Sequence, residues 1–138
     1  MLIQPYLMFS GRCDEAIAFY QQALGAELQM LMRYKDSPEP PAPGMVPPGS
    51  DDKVMHASLK VGTTMLMASD GDCAGTPDFR GVTLYLEADD AAAAERLYKA
   101  LADGGQMHLP LGPTFWSPCF GMVADRFGVA WMVSVPMQ

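Results

Sequence analysis

The sequence predicts an α+β fold made of two copies of one module, each a strand, a helix and three further strands. Two similarities within the chain and one long connection predict it. The first similarity joins residues 60–68 to residues 126–134, which both run from a basic residue through an apolar residue and a glycine into an alternating strand. Gly62 and Gly128 lie 128 − 62 = 66 positions apart. Because internal repetition decides the whole fold, this similarity outweighs local propensity.

The second similarity joins two helical segments, residues 16–21 and residues 94–99. Their tyrosines, Tyr20 and Tyr98, lie 98 − 20 = 78 positions apart, so this offset is larger by 78 − 66 = 12. A longer connection in the first half accounts for the difference, and the proline-rich segment 36–52 supplies it.

The length of 138 residues and an apolar content of 49% fit one domain with a real core. Within that single domain, residues 1–138, we place module one at about residues 1–70, a linker at about 71–80 and module two at about 81–138.

The net charge of -7 argues against nucleic acid and against an anionic membrane as partners. No secretory signal or long apolar span is recognised, and the cysteines show no metal-binding spacing. A reducing, cytoplasmic location is therefore expected. The cysteines are odd in number and far apart: Cys13, Cys73 and Cys119.

Module one is predicted to contain one amphipathic helix, residues 13–24. It has two acidic residues in its first turn and Gly25 directly after it, which is a common helix end. Residues 37–49 hold too many prolines for a helix or a central strand. They are either a functional lid or interface arm, or a disordered decoration. An apolar run with β-branched and aromatic residues predicts a strand at residues 2–9, and alternation predicts one at residues 27–35. Residues 54–60 and 63–69 are predicted to form a hairpin.

Module two repeats this plan. Asp89 or Asp90 caps a helix that ends before Gly104. The helix has the apolar stripe Ala94, Leu97, Tyr98 and Leu101. The predicted strands are residues 81–87, 106–111, 119–124 and 129–135.

Short motifs along this plan carry a family resemblance through their order and spacing. They are Gln4-Pro5-Tyr6-Leu7, Phe19-Tyr20 with Leu24-Gly25, Met55-His56-Ala57, Ala68-Ser69-Asp70, Phe115-Trp116, and Asp125-Arg126-Phe127-Gly128 with Trp131. With them the chain resembles the vicinal oxygen chelate superfamily, also called glyoxalase/bleomycin-resistance/dioxygenase, and its PhnB-like branch. The resemblance implies a curved antiparallel or mixed sheet, bent into a cup with helices on its convex side, and a homodimer. It does not fix the reaction, because the superfamily hosts several chemistries.

The resemblance also implies metal ligands on the first and last strands of each module. Those positions fall at Pro5, at Val82 or Thr83, at Leu66 and at Met132. None of them offers an imidazole or a carboxylate. We therefore expect no metal and no cofactor, with a non-standard divalent metal as the alternative, and we assign Leu66 and Met132 to ligand binding.

A different polar set remains for chemistry. His56 and Asp70 form a minimal acid–base pair, and Tyr85 and Glu87 are predicted to line the same concave site. The alternative for His56 is a hydrogen bond to a backbone carbonyl or packing at the rim.

The face of His56 depends on the register of its hairpin. Pairing with Met67 would send it to the convex face and pairing with Ala68 to the concave face. We expect the concave face, because burying a titratable ring beneath helices is costly.

Phe115 and Trp116 form an aromatic turn between strands. They are predicted either to form a wall of the ligand site or to plug the open end of the sheet.

The predicted function is a small-molecule-binding protein without the usual metal. The twelve methionines favour it, because thioether side chains suit a pocket that tolerates varied ligands. The alternative is a lyase or isomerase-type enzyme that uses His56 as base and Asp70 as orienting group.

Overall fold

The computed structural model describes residues 1–39 and 41–137. It divides into two compact units, Met1–Pro77 and Asp78–Gln138. Each unit contains one helix and one four-stranded mixed sheet, which confirms the predicted α+β fold of two β-α-β-β-β modules.

The first unit forms a sheet in the order β1-β4-β3-β2. β1 runs parallel to β4, and the other neighbours are antiparallel. A 3-10 turn, Tyr34–Asp36, follows β2. The elements are β1 (Tyr6–Met8), α1 (Cys13–Leu24), β2 (Glu27–Arg33), β3 (Val54–Val61) and β4 (Thr64–Ser69).

The second unit forms a sheet in the order β5-β8-β7-β6, with β5 parallel to β8. The order repeats that of the first unit strand for strand. The elements are β5 (Thr83–Glu87), α2 (Ala91–Ala102), β6 (Gln106–Gly112), β7 (Phe120–Ala124) and β8 (Ala130–Ser134).

Two elements are shorter or less regular than the sequence predicted. β1 covers only Tyr6–Met8 of the predicted residues 2–9, because Pro5 has no N–H and contributes only its carbonyl, which accepts from the N–H of Met67 at 3.0 Å. In the proline-rich segment, residues 41–49 form neither helix nor strand. Pro40 lies outside the described residues.

Both helices bury one face, as their sequences require. α1 ends where Gly25 adopts a left-handed conformation with φ of 66°. α2 begins at Asp90, whose carboxylate accepts from the N–H of Ala93 at 2.8 Å, which decides between the two predicted caps. The buried faces consist of Cys13, Ala16, Ile17, Phe19 and Tyr20 on α1, and of Ala94, Tyr98 and Leu101 on α2.

The two sheets can be aligned through one matched hydrogen bond. The N–H of Phe9 donates to the carbonyl of Ser69, and the N–H of Ala88 donates to that of Ser134, both at 2.8 Å. Ser69 and Ser134 are therefore equivalent, and so are Met67 and Met132.

In this alignment the last strands of the two units are 134 − 69 = 65 positions apart, one fewer than the 66 positions between Gly62 and Gly128. Two residues separate Val61 from Thr64 between β3 and β4, whereas residues 125–129 separate β7 from β8. The different turn lengths make Leu66, four positions past Gly62, inequivalent to Met132, four positions past Gly128.

Candidate functional site

The first sheet has one face packed against α1 and one face that α1 does not cover. α1 packs on β3 and β2, and the side chains beneath it are buried: Ala57, Leu59, Leu66 and Ala68. Cross-strand partners share a face. The cross-strand partners on the other side define what we call the first open face: Tyr6, Met30, Met32, His56, Ser58 and Met67.

His56 lies on this first open face, in the direction that we expected. The register differs from both alternatives, since Ala68 pairs with Ala57 and Met67 pairs with Ser58. His56 is instead the cross-strand partner of Met32 on β2. The register differs because the hairpin turn lies at residues 62–63, whereas the predicted strands left residues 61–62 for the turn.

His56 is hydrogen bonded to Tyr6, a residue that our site prediction did not include. The hydroxyl of Tyr6 lies 2.8 Å from Nδ1 of His56, and the two rings have centroids 5.5 Å apart. Tyr6 is 40% exposed and His56 is half-buried, so solvent reaches the pair. The matched position of Tyr85 in the repeat is the signal that could have drawn attention to Tyr6.

Ser69 connects this pair to the end of β4. Its hydroxyl interacts with Tyr6 and with Tyr34, and it accepts from the N–H of Gly71 at 2.8 Å. The Tyr34 hydroxyl donates to the carbonyl of Gly71. Burial raises the pKa of both tyrosines above the ordinary value, so both phenols keep their protons at neutral pH.

Asp70 does not accompany His56, contrary to the predicted acid–base pair. Its side chain is 1% exposed, and its two oxygens accept from the backbone N–H groups of Gly11, Cys13 and Val54, each at 2.8 Å. These bonds fix the start of α1 and the start of β3 to the end of β4. The carboxylate therefore has a structural role and is not the orienting group of His56.

Leu66 also differs from its predicted role in ligand binding. It is 5% exposed and pairs with Leu59 on the face that packs against α1. The neighbouring Met67 lies on the first open face, because successive residues of a strand point to opposite sides.

In the second sheet, Tyr85 and Met132 pair with each other, and Met132 also pairs with Met122. They occupy the face that α2 does not cover, since α2 packs on β7 and Tyr98 lies against Gly121. Glu87 follows Tyr85 two positions later and shares its face. Tyr85 is 55% exposed.

The aromatic turn also belongs to the second unit. Trp116 contacts Phe120 edge-on with centroids 5.2 Å apart, and Phe115 contacts Trp116 at 4.7 Å. Phe120 is buried whereas Phe115 is 90% exposed. Trp116 thus covers Phe120 within its own unit, and Phe115 projects outward.

The two units differ at one equivalent position. Ala57 pairs with Ala68, and Gly121 pairs with the equivalent residue Val133. His56 directly precedes Ala57 and Phe120 directly precedes Gly121, so His56 and Phe120 are equivalent. The first unit therefore has an imidazole where the second has a phenyl ring.

The described residues do not fit the usual divalent metal centre. Across residues 1–39 and 41–137, no three or more His, Cys, Asp or Glu side chains are grouped so that they could hold an ion. The equivalent first-strand and last-strand positions hold phenols and thioethers, which are poor ligands for hard divalent ions. These side chains are Tyr6, Met67, Tyr85 and Met132.

The thiols of Cys13 and Cys73 are not activated. Burial raises the pKa of the Cys13 thiol far above its ordinary value, and burial also raises the pKa of Cys73. No helix within the described ranges is long and apolar enough to span a membrane.

Comparison with known proteins gives matches along the whole chain. The model of the Glyoxalase/Bleomycin resistance protein/Dioxygenase superfamily matches residues 2–133. Protein YjdN of Escherichia coli (strain K12) is 37% identical over 145 residues, which cover 100% of this chain and 97% of YjdN.

Solved structures match over a similar extent. The crystal structure of protein PA1353 from Pseudomonas aeruginosa has a TM-score of 0.86 and 46% identity, covering 100% of this chain and 99% of that one. A Bacillus cereus protein described as a putative 3-demethylubiquinone-9 3-methyltransferase, PhnB protein, has a TM-score of 0.80 and 25% identity, covering 98% and 99%. The fosfomycin resistance protein FosX from Listeria monocytogenes has a TM-score of 0.67 at 11% identity, covering 99% and 94%, and shares the fold alone.

Proposed function

Because this chain belongs to the Glyoxalase/Bleomycin resistance protein/Dioxygenase superfamily, we propose that it is a small-molecule-binding protein whose ligand lies on the first open face, beside His56. The observation that carries the proposal is a sheet face lined by thioethers and uncovered by its own helix, with one polar pair in it. The family sets the fold and leaves the ligand open.

The side chains of this face suit an apolar ligand of variable shape. Met30, Met32 and Met67 are unbranched and polarizable, so they adapt to different apolar surfaces. The Tyr6–His56 pair adds a fixed polar point, and a few placed polar groups among apolar ones are typical of ligand sites.

Methionine methyl groups provide the test. Protein carrying ¹³C-methyl methionine is titrated with a panel of hydrophobic metabolites and glycopeptide drugs, and signals are assigned by Met→Leu variants. We expect the signals of Met32 and Met67 to shift, while Met45 in the proline-rich segment and Met107 on β6 stay unchanged. Met45 and Met107 are the controls because both are exposed and lie outside the face. Silence throughout the panel at millimolar ligand, or equal shifts at all exposed methionines, contradicts the proposal.

The proposed binding uses no metal and no cofactor. The chemistry of the available donors supports this, since the matched strand positions hold phenols and thioethers. Elemental analysis of the purified protein checks it, and a stoichiometric divalent ion would contradict it.

A second candidate is an enzyme of lyase or isomerase type with His56 as base. The hydrogen bond to Tyr6 holds the imidazole in one orientation, and His56 can act as a base if this bond runs from Nδ1–H to the Tyr6 oxygen, because Nε2 is then free of a proton. The test is to follow loss of a carbon-bound deuterium from the compounds that bind. Exchange that disappears in His56→Gln while binding persists would favour the enzyme over the binding protein.

The proposed partners are a small molecule and a second copy of the chain, with no nucleic acid or membrane. The net charge of -7 supports the exclusion of nucleic acid and of anionic membranes. A cytoplasmic location is also proposed, and cell fractionation with an antibody to the protein tests it.

A further inference from the structure

The Tyr6–His56 pair fixes where the imidazole carries its proton. The hydrogen bond between the Tyr6 hydroxyl and Nδ1 of His56 holds one proton, supplied either by the phenol or by a neutral imidazole. A phenol O–H is a stronger donor than a neutral imidazole N–H. Tyr6 therefore donates to Nδ1 of His56 at 2.8 Å.

A neutral imidazole that accepts at Nδ1 must carry its proton at Nε2. A charged ring would also carry a proton there. Nε2 of His56 is thus a hydrogen-bond donor in either state. Within the described residues it donates to no protein group, and His56 is only half-buried.

The thioether neighbours of His56 on the first open face are weak acceptors for this donor. Its cross-strand partner is Met32, and Met67 lies on the strand between it and Tyr6. A thioether sulfur is a weak acceptor. Asp70, the carboxylate nearest in sequence to β4, is occupied by three backbone N–H groups.

The second unit shows that the fold does not need this imidazole. Phe120 stands at the position equivalent to His56, and its sheet forms with the same strand order. A purely structural role at this position is met by a phenyl ring, so the Tyr6–His56 pair requires another explanation.

We propose that His56, held by Tyr6, recognises a hydrogen-bond acceptor on the ligand, of the carboxylate class, while the methionines of the first open face contact the ligand's apolar body. This inference rests on the proposed function and specifies the class of its ligand. A carboxylate fits best, because a charged acceptor strengthens the bond from Nε2–H.

Three probes that share one apolar chain test the proposal: octanoate, octan-1-ol and octylamine. Their dissociation constants are measured from the methyl signals of Met32 and Met67. The whole protein carries a charge of -7, which by itself favours the ammonium compound. We expect octanoate to bind about tenfold more tightly than octylamine, as one hydrogen bond to a charged group allows.

Two substitutions at one position separate the donor from the packing. His56→Phe removes the donor and installs the residue found at the equivalent position, and we expect octanoate to weaken about tenfold. His56→Gln restores an N–H donor and should recover part of that loss. His108→Gln changes the other histidine, which is exposed on β6, and should leave all three constants unchanged.

A direct readout of the proton comes from ¹⁵N shifts of the two histidine rings. We expect His56 to show the Nε2–H form in the native protein and a mixture of forms in Tyr6→Phe. Preference for octylamine, or an octanoate preference that survives His56→Phe, overturns the inference while leaving binding intact. If none of the three probes shifts Met32 or Met67, this inference is overturned, while the proposed function is decided by the wider panel.

Discussion

Asp70 is a buried acidic side chain whose chemistry is used to hold backbone together. Its oxygens accept from Gly11 and Cys13, which precede and begin α1, and from Val54, which begins β3. The sequence alone made it a candidate catalytic group, because a structural aspartate and a catalytic aspartate near a histidine look the same in a sequence.

Asp70→Asn should destabilise the protein by about 2–4 kcal/mol. Whichever way the new amide is turned, its NH₂ group faces at least one backbone N–H that has lost its acceptor. The free energy of unfolding is measured by urea denaturation. The matched control is Asp72→Asn, an exposed residue two positions away, for which we expect less than about 0.5 kcal/mol. Equal effects of the two changes would contradict the structural role.

His56 shows how far sequence reasoning reached at the scale of single residues. Its place in the site was predicted from residue type, but its partner was not, because Tyr6 lies 50 positions away on a strand paired through β4. A contact of that kind depends on register across three strands, and sequence pattern does not fix register to one residue.

At the scale of elements, turn length decided where the site prediction failed. The hairpin glycines repeat at 66 positions, whereas the strands β4 and β8 repeat at 65, as the bonds of Ser69 and Ser134 show. Counting from Gly62 selected Leu66, which is buried, and missed Met67 beside it. One residue reverses the face of a strand, so a correct element still gave a wrong side chain.

The end of α2 and the start of β6 approach β7 so closely that only glycine fits. A Cβ on Gly105 would lie 2.1 Å from the carbonyl oxygen of Ala124. We expect Gly105→Ala to destabilise the protein by about 1–3 kcal/mol through overpacking. Gly112→Ala, at the far end of β6, is the control, since a Cβ there meets nothing within 4 Å. Thermal unfolding compares them, and equal melting temperatures would refute the close approach.

Tyr98 joins α2 to its sheet through a buried hydroxyl. That hydroxyl donates to the carbonyls of Leu109 and Met122, at 2.8 and 3.2 Å, and burial raises its pKa above 10.0. Between pH 10.0 and the folded pKa the native state holds a proton that the unfolded state has released. Stability contributed by Tyr98 is therefore complete below pH 10.0 and is lost as pH rises further.

Tyr98→Phe tests this pH dependence. We expect a loss of about 1 kcal/mol at neutral pH, for the lost hydrogen bonds. Above pH 10.0 the stability of the variant should fall less steeply than that of the native protein. The check is a series of urea denaturations between neutral and alkaline pH, and parallel curves for the two proteins would contradict it.

At the scale of the whole molecule, repetition made the fold predictable. Two weak similarities, at Gly62 and Gly128 and at Tyr20 and Tyr98, implied one module used twice, and both sheets have the same strand order. The ligand was not predictable in this way, because duplication specifies the framework and the residues that differ between the copies specify chemistry. His56 and Phe120 are such a pair.

The oligomeric state is a property of the whole molecule, and the exposed surface of β2 indicates it. This strand lies at the edge of its sheet, and five of its seven residues are exposed, including Leu28, Met30 and Leu31. Monomeric proteins seldom leave an edge strand apolar on both faces, since it invites pairing. We therefore predict a homodimer that covers β2.

Analytical ultracentrifugation measures the oligomeric state of the protein directly. We expect the native protein to have twice the chain mass of 14.9 kDa and Leu31→Lys to shift the equilibrium toward the single chain. Leu31 is suitable because its side chain points away from the first open face, so ligand binding on that face is undisturbed. Met45→Lys makes the same chemical change in the proline-rich segment and should leave the dimer intact. A native mass of 14.9 kDa at every concentration would refute the dimer, and a Leu31→Lys dimer as stable as the native one would move the interface to another surface.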